Sequence, residues 1–178
     1  MITSRLSRPV TCAFLFAAAT LLALPASAQM SAPATLQAAL AGDAGTLSDK
    51  FAGLAKAMAG KYDWKPGQGV RSVGEVFNLI VMENRMLAAL LTGGAPPPRG
   101  NPIADPAQMQ EALTSSYAAV KTALGGLSDA DLATKVKIFG MDSTKQGAAM
   151  MLLGDQHEHL GQSIAYARSN GVVPPWSK

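Results

Sequence analysis

Between residues 36 and 169, runs of apolar side chains recur at helical spacing, and each run is broken from the next by Gly- or Pro-containing sequence. That period describes a helix with one apolar stripe, and a stripe of that kind must be buried against another. The first run spans residues 36–60 and carries Leu40, Leu47, Phe51, Leu54 and Met58, with Gly42 and Gly45 weakening its first half. The connector KYDWKPGQGVR, residues 61–71, ends it. Ser72 with Glu75 three residues on is a capping box, so a second helix is expected from there to about Thr92, stopping at Gly93-Gly94. Residues 95–106 hold five prolines and no periodicity, hence a loop. A third helix is expected over residues 107–124, with Met109, Leu113, Tyr117, Val120 and Leu124 on one side. A helical turn at SDADLA follows from Ser128, then KVKIFG at 135–140, which alternates weakly and can be extended. The last helix is expected over residues 143–169, capped by Asn170-Gly171. Four such helices in one chain of this length give an all-α four-helix bundle, with no internal repeat and no second domain.

The first 28 residues have a different character. Arg5 and Arg8 precede an apolar run at residues 10–24, and Ala26-Ser27-Ala28 supplies small residues in the −3 and −1 positions. This is the pattern of a secretory signal peptide cleaved after Ala28. The run is about 15 residues, short of the roughly 20 that span a bilayer. No membrane anchor is therefore expected after cleavage, and Cys12 lies too early to serve as a lipidation site. The expected mature chain, residues 29–178, is periplasmic or secreted. It keeps 13 of the 15 Lys+Arg against all 12 Asp+Glu, a net charge of +1, and contains no cysteine. Disulfides, cysteine nucleophiles, zinc–thiolate sites and iron–sulfur clusters are thereby excluded from it. The basic residues are scattered and not interleaved with aromatics, which argues against nucleic acid. No G-x-S-x-G elbow and no Gly-rich loop between strand and helix is present, so neither a serine-hydrolase triad nor a nucleotide site has a foothold.

Few residues remain for chemistry. His157 and His159 are the only histidines, and at about 100° per residue they point roughly 200° apart, too far to share an ion from one helix. Asp155 and His159 stand four apart, a spacing that serves either a shared ion or an intrahelical ion pair. His157 falls beside Leu153, Leu160 and Ile164 and reads as a packed or interface histidine. Glu83 is the anomaly, because it interrupts the stripe of Val76, Leu79, Ile80, Met86, Leu87 and Leu90. A carboxylate buried there must be protonated, paired across the bundle or bound to a metal, unless the helix is rotated to expose it.

The stretch KYDWKPGQGVRSVGEVFNLIVMEN resembles the DinB/YfiT-like superfamily, as does KVKIFGMDSTKQGAAMMLLGDQHEHLGQSIAYARSNGVVPPW. The shared details are W-x-P ahead of V-R-S, the S-x-x-E helix start, E-H-x-G-Q, Y-x-R-x-N-G and the closing V-P-P, and the likeness covers about residues 36–176. The resemblance implies an up-down-down-up four-helix bundle, often a homodimer. In many members three histidines hold a divalent ion, one from the second helix and two spaced H-x-x-x-H on the last. Some members are thiol-dependent transferases, isomerases or hydrolases. This chain departs from that set, since Leu79 and Asp155 stand where two of the histidines would, leaving His159. Glu83 lies one turn beyond Leu79, so one reading makes Glu83, Asp155 and His159 a substituted, carboxylate-rich triad for one divalent ion (Zn, Mn, Fe or Ni). The opposite reading is a degenerate site without metal. The chain is then a non-catalytic binding or structural bundle, dimeric through an apolar helix face that includes His157. The alternative to that scaffold is a divalent-metal-dependent hydrolase or transferase using the triad, with Gln162 and Tyr166 supporting it. Hydrolysis is favoured over thiol transfer outside the cytoplasm. No small-molecule ligand is named by the sequence.

Overall fold

Among the described residues, each helix begins where a side-chain oxygen accepts a backbone N–H that would otherwise lack a partner. The computed structural model describes residues 35–177; the expected signal peptide and its cleavage site lie outside them. Thr35 caps α1 (Leu36–Ala57) by accepting from the N–H of Ala38. Ser72 and Glu75 form both halves of the expected capping box on α2 (Val73–Thr92), which ends at Gly93 in the left-handed conformation with φ 78°. Asp105 caps α3 (Pro106–Gly125), and Pro106 opens it where no amide hydrogen is needed. A second capping box, Ser128 with Asp131, starts the short α4 (Asp129–Leu132).

An antiparallel hairpin then intervenes, β1 (Lys135–Ile138) and β2 (Met141–Thr144), with Lys135 opposite Thr144 and Ile138 opposite Met141. The expected extension of KVKIFG is thus observed, and the fold is mostly helical with one added hairpin. The last helix, α5 (Lys145–Ser169), starts two residues later than expected. Ser143 and Thr144 belong to β2, and Thr144 is the cap, accepting from the N–H of Gly147 at 3.0 Å. The hairpin turn is Phe139-Gly140, with φ 49° and 79°. Positive φ at both positions is what a two-residue type I′ turn requires, and phenylalanine suits it poorly. Phe139 is 63% exposed, so its ring contributes little packing. Phe139→Asn is therefore expected to stabilise the protein by about 1 kcal/mol, read as a higher urea midpoint at unchanged slope.

Helix α1 packs against α3 and α5, and α2 packs against the same two. The centre holds Phe51, Phe77 and Tyr117, with Phe51 edge-on to Phe77 and stacked on Tyr117, both at 6.3 Å between centroids. Leu47, Leu54, Ile80, Leu87, Leu113 and Leu124 fill the layers around them. The α1–α2 connector is tied down by Val73 N–H to Trp64 O (3.0 Å) and Gly74 N–H to Tyr62 O (2.8 Å). Gly74 fits closely there: a Cβ would meet Tyr62 at 3.1 Å, so the connector would have to give by a few tenths of an ångström. This connector brings Trp64 onto Tyr166 of α5, edge to face at 5.2 Å. The described residues, 35–177, form one compact unit. Among the described residues no helix is long and apolar enough to cross a membrane.

Candidate metal centre

The apolar stripe of α2 turns Glu83 into the bundle, where it is only 5% exposed. Its Oε2 has no hydrogen-bond partner, and no Lys or Arg pairs with it among the described residues. This removes two of the readings open from sequence, an ion pair across the bundle and a rotation that exposes the carboxylate. Helix α5 brings Asp155 and His159 to the same place. One ligand atom from each of Glu83, Asp155 and His159 lies within 4.8 Å of the others, and His159 Nε2 is 3.5 Å from Asp155 Oδ2. Burial pushes the Glu83 carboxyl up to about 7, and the neighbouring Asp155 carboxylate adds to that rise. Without a cation the site therefore stabilises a protonated Glu83 near neutral pH.

The imidazole is oriented from behind. His159 Nδ1 lies 2.9 Å from the amide oxygen of Gln162, which can only accept, so Nδ1 carries the proton and Nε2 turns its lone pair on the carboxylates. Gln162 Nε2 donates to the Tyr166 hydroxyl at 2.8 Å, and that hydroxyl donates to the carbonyl of Arg71 at 3.2 Å. The line from connector to imidazole fixes ring and tautomer, as the outer partners of metal-ligating histidines do.

The donor set fits a divalent ion. Three acceptor atoms converge with no donor among them, an arrangement that repels itself unless a proton or cation lies between. Two ligands held about 2.1 Å from one ion at a tetrahedral angle sit roughly 3.4 Å apart, close to the 3.5 Å between Asp155 and His159. Two carboxylates and one imidazole suit Zn, Mn or Fe and leave coordination positions open.

His157 takes no part. Its side chain is 47% exposed and pairs with Asp43 of α1 at 2.9 Å, which corrects the packed half of the expectation of a packed or interface histidine: within the chain it bridges two helices at the surface. Sequence reading also missed a buried polar layer next to the site. Gln156 Nε2 donates to Asn84 Oδ1 at 2.9 Å, and Asn84 Nδ2 donates to Ser116 Oγ at 3.1 Å, joining α5, α2 and α3. Asn84 and Gln156 each adjoin a ligand candidate in sequence, and both are fully buried. Polar residues on those faces were the available signal.

A family model described as the DinB superfamily matches residues 31–163. Among solved structures, a DinB-like protein from Bacillus cereus is 18% identical, with a TM-score of 0.65, over 76% of this chain and 93% of that one. A DinB-like protein from Bacillus subtilis is 17% identical, with a TM-score of 0.61, over 75% of this chain and 92% of the other. At these identities the likeness carries the fold. No curated protein matches the chain.

Proposed function

This chain belongs to the DinB superfamily, and on that footing we propose that it is an exported protein that binds one divalent cation through Glu83, Asp155 and His159. The observation that carries the reading is the buried, partnerless Oε2 of Glu83, set within 4.8 Å of ligand atoms from α5. Glu83 holds the cation from α2, Asp155 and His159 hold it from α5, and Gln162 keeps Nε2 aimed inward. Leu79, where many family members carry a histidine, contributes no ligand, so this site relies on charge where those members rely on imidazoles. When bound, such an ion supplies Lewis acidity, the chemistry of a hydrolase. Asp155, with its side chain 43% exposed, marks the side from which a substrate reaches the centre. A second reading, a non-catalytic bundle with a degenerate site, is favoured by the Leu79 and Asp155 replacements.

Metal content separates the two. Plasma mass spectrometry of residues 29–178, purified without chelator or affinity tag, is expected to find about one equivalent of Zn, Mn, Fe or Ni, lost in His159→Ala. No metal, and no thermal shift on adding any of the four, establishes the scaffold reading.

A further inference from the structure

A groove of about 330 Å³ runs beside α2 under the proline-rich loop, a size at the lower end of ligand pockets, roughly 300–1,000 Å³. Asn78 clamps the loop over it. Its side chain donates to the Ile103 carbonyl at 3.0 Å and accepts from the Ile103 N–H at 2.9 Å, while donating to Gly74 O at 2.9 Å. Three consecutive prolines, residues 96–98, stiffen the stretch leading to Arg99. The loop backbone that carries Arg99 is thus held over the groove before any ligand arrives.

Arg71 and Arg85 line the same groove. A guanidinium is charged at any relevant pH, and none of these three makes an ion pair among the described residues. The one carboxylate on the lining, Glu75, is already engaged, accepting from the Ser72 N–H at 2.6 Å. That hydrogen bond holds it below the usual carboxylate range. The groove is cationic in a chain whose charge is otherwise nearly balanced. Most of the remaining wall is apolar, with Leu79 and Met82 on α2 and Pro97 and Pro98 on the loop, while Asn78 and Asn101 are its other polar residues.

Guanidinium groups outside any ion pair, beside a largely apolar wall, match one class of molecule. We infer that the groove binds a small amphipathic organic anion, its oxyanionic head on Arg71, Arg85 and Arg99 and its hydrocarbon part along Leu79, Met82 and the prolines. Leu79 lies one turn from Glu83, so the groove adjoins the proposed metal centre. Its binding does not depend on the ion, and the metal reading can fail without it.

The test is calorimetric titration of residues 29–178 with sodium octanoate, octylamine and inorganic phosphate, each with and without EDTA. Octanoate is expected to bind saturably at one site, at least tenfold tighter than octylamine or phosphate. Arg85→Ala with Arg99→Ala, both at exposed positions, is expected to weaken it at least tenfold with unchanged circular dichroism. Glu83→Gln is expected to leave octanoate binding within twofold while abolishing metal uptake, which keeps the two sites separable. No saturable octanoate binding, equal affinity for octylamine, or indifference to the double variant overturns the assignment. Phosphate binding as tightly as octanoate overturns its amphipathic part.

Discussion

Metal-free protein is expected to lose about 2 kcal/mol of stability as the pH rises from below 4.5 to above 7, and Glu83→Leu is expected to abolish that loss. The Glu83 carboxyl is raised from 4.5 to about 7 by burial first and by Asp155 second. Between those values the folded chain holds a proton that the unfolded chain has released, so stability falls with pH. The contribution is complete below 4.5 and gone above 7, the reverse of a salt-bridged carboxylate. A rise of that size corresponds to roughly 3 kcal/mol at the unscreened limit, and solvent reaching the half-exposed Asp155 reduces it to about 2 kcal/mol. Glu83→Leu removes the titrating group and completes the stripe of Ile80 and Leu87, so the variant is expected to be about 2 kcal/mol more stable than wild type at pH 8. Urea midpoints of chelated protein at pH 5, 6, 7 and 8 measure both effects. Stability that instead climbs over this range means that a cation of the protein itself compensates Glu83, and the orphaned carboxylate ceases to be an argument for a metal.

A divalent ion is expected to act in the opposite direction and more strongly. Free ion at a thousandfold excess over its dissociation constant stabilises a folded protein by about 4 kcal/mol. Here the ion bridges α2 and α5 beside the Gln156–Asn84 hydrogen bond and replaces repulsion among three acceptors with attraction. Because the ion must displace the Glu83 proton, affinity is expected to fall about tenfold per pH unit below 7, with one proton released to buffer at pH 6. Asp155→Asn, His159→Ala and Glu83→Gln should each abolish the stabilisation. Gln162→Ala should weaken binding about 10- to 100-fold by freeing the imidazole, without removing a ligand. Calorimetric titration at pH 6, 7 and 8 in buffers of different ionisation enthalpy reads affinity and proton release together. An affinity that does not change between pH 5 and 7 would put the ion somewhere other than against Glu83.

Much of this arrangement could be read along the chain, since it depends on neighbours in sequence. Ser72 and Glu75 cap α2 because a helix start needs acceptors three residues apart. Asp155 and His159 share a face because four residues make about one turn. Glu83 stood out because one carboxylate broke a stripe of six apolar positions. The hairpin was half legible: KVKIFG alternated, but its turn uses Phe139 at positive φ, a residue that announces no such turn, and β2 therefore took Ser143 and Thr144 from the expected helix.

What lay beyond the sequence was the pairing of faces across space. The period of a helix fixes which residues share a side, but the rotation and sliding of one helix against another follow from how both sets of side chains interlock. The family resemblance had grouped Glu83 with Asp155 and His159, but only the packed bundle brought their ligand atoms within 4.8 Å of one another. The same packing set His157 beside Asp43 of α1, two polar groups that no spacing connects. It also folded the proline-rich loop back onto α2 through Asn78, gathering Arg71, Arg85 and Arg99 from a connector, a helix and a loop. The sequence by itself determined the main helices, the capping box that opens α2 and the residues able to bear chemistry. The tertiary structure decided which of them meet, because ligand sets and charged grooves depend on distances through space, and those are settled by the core.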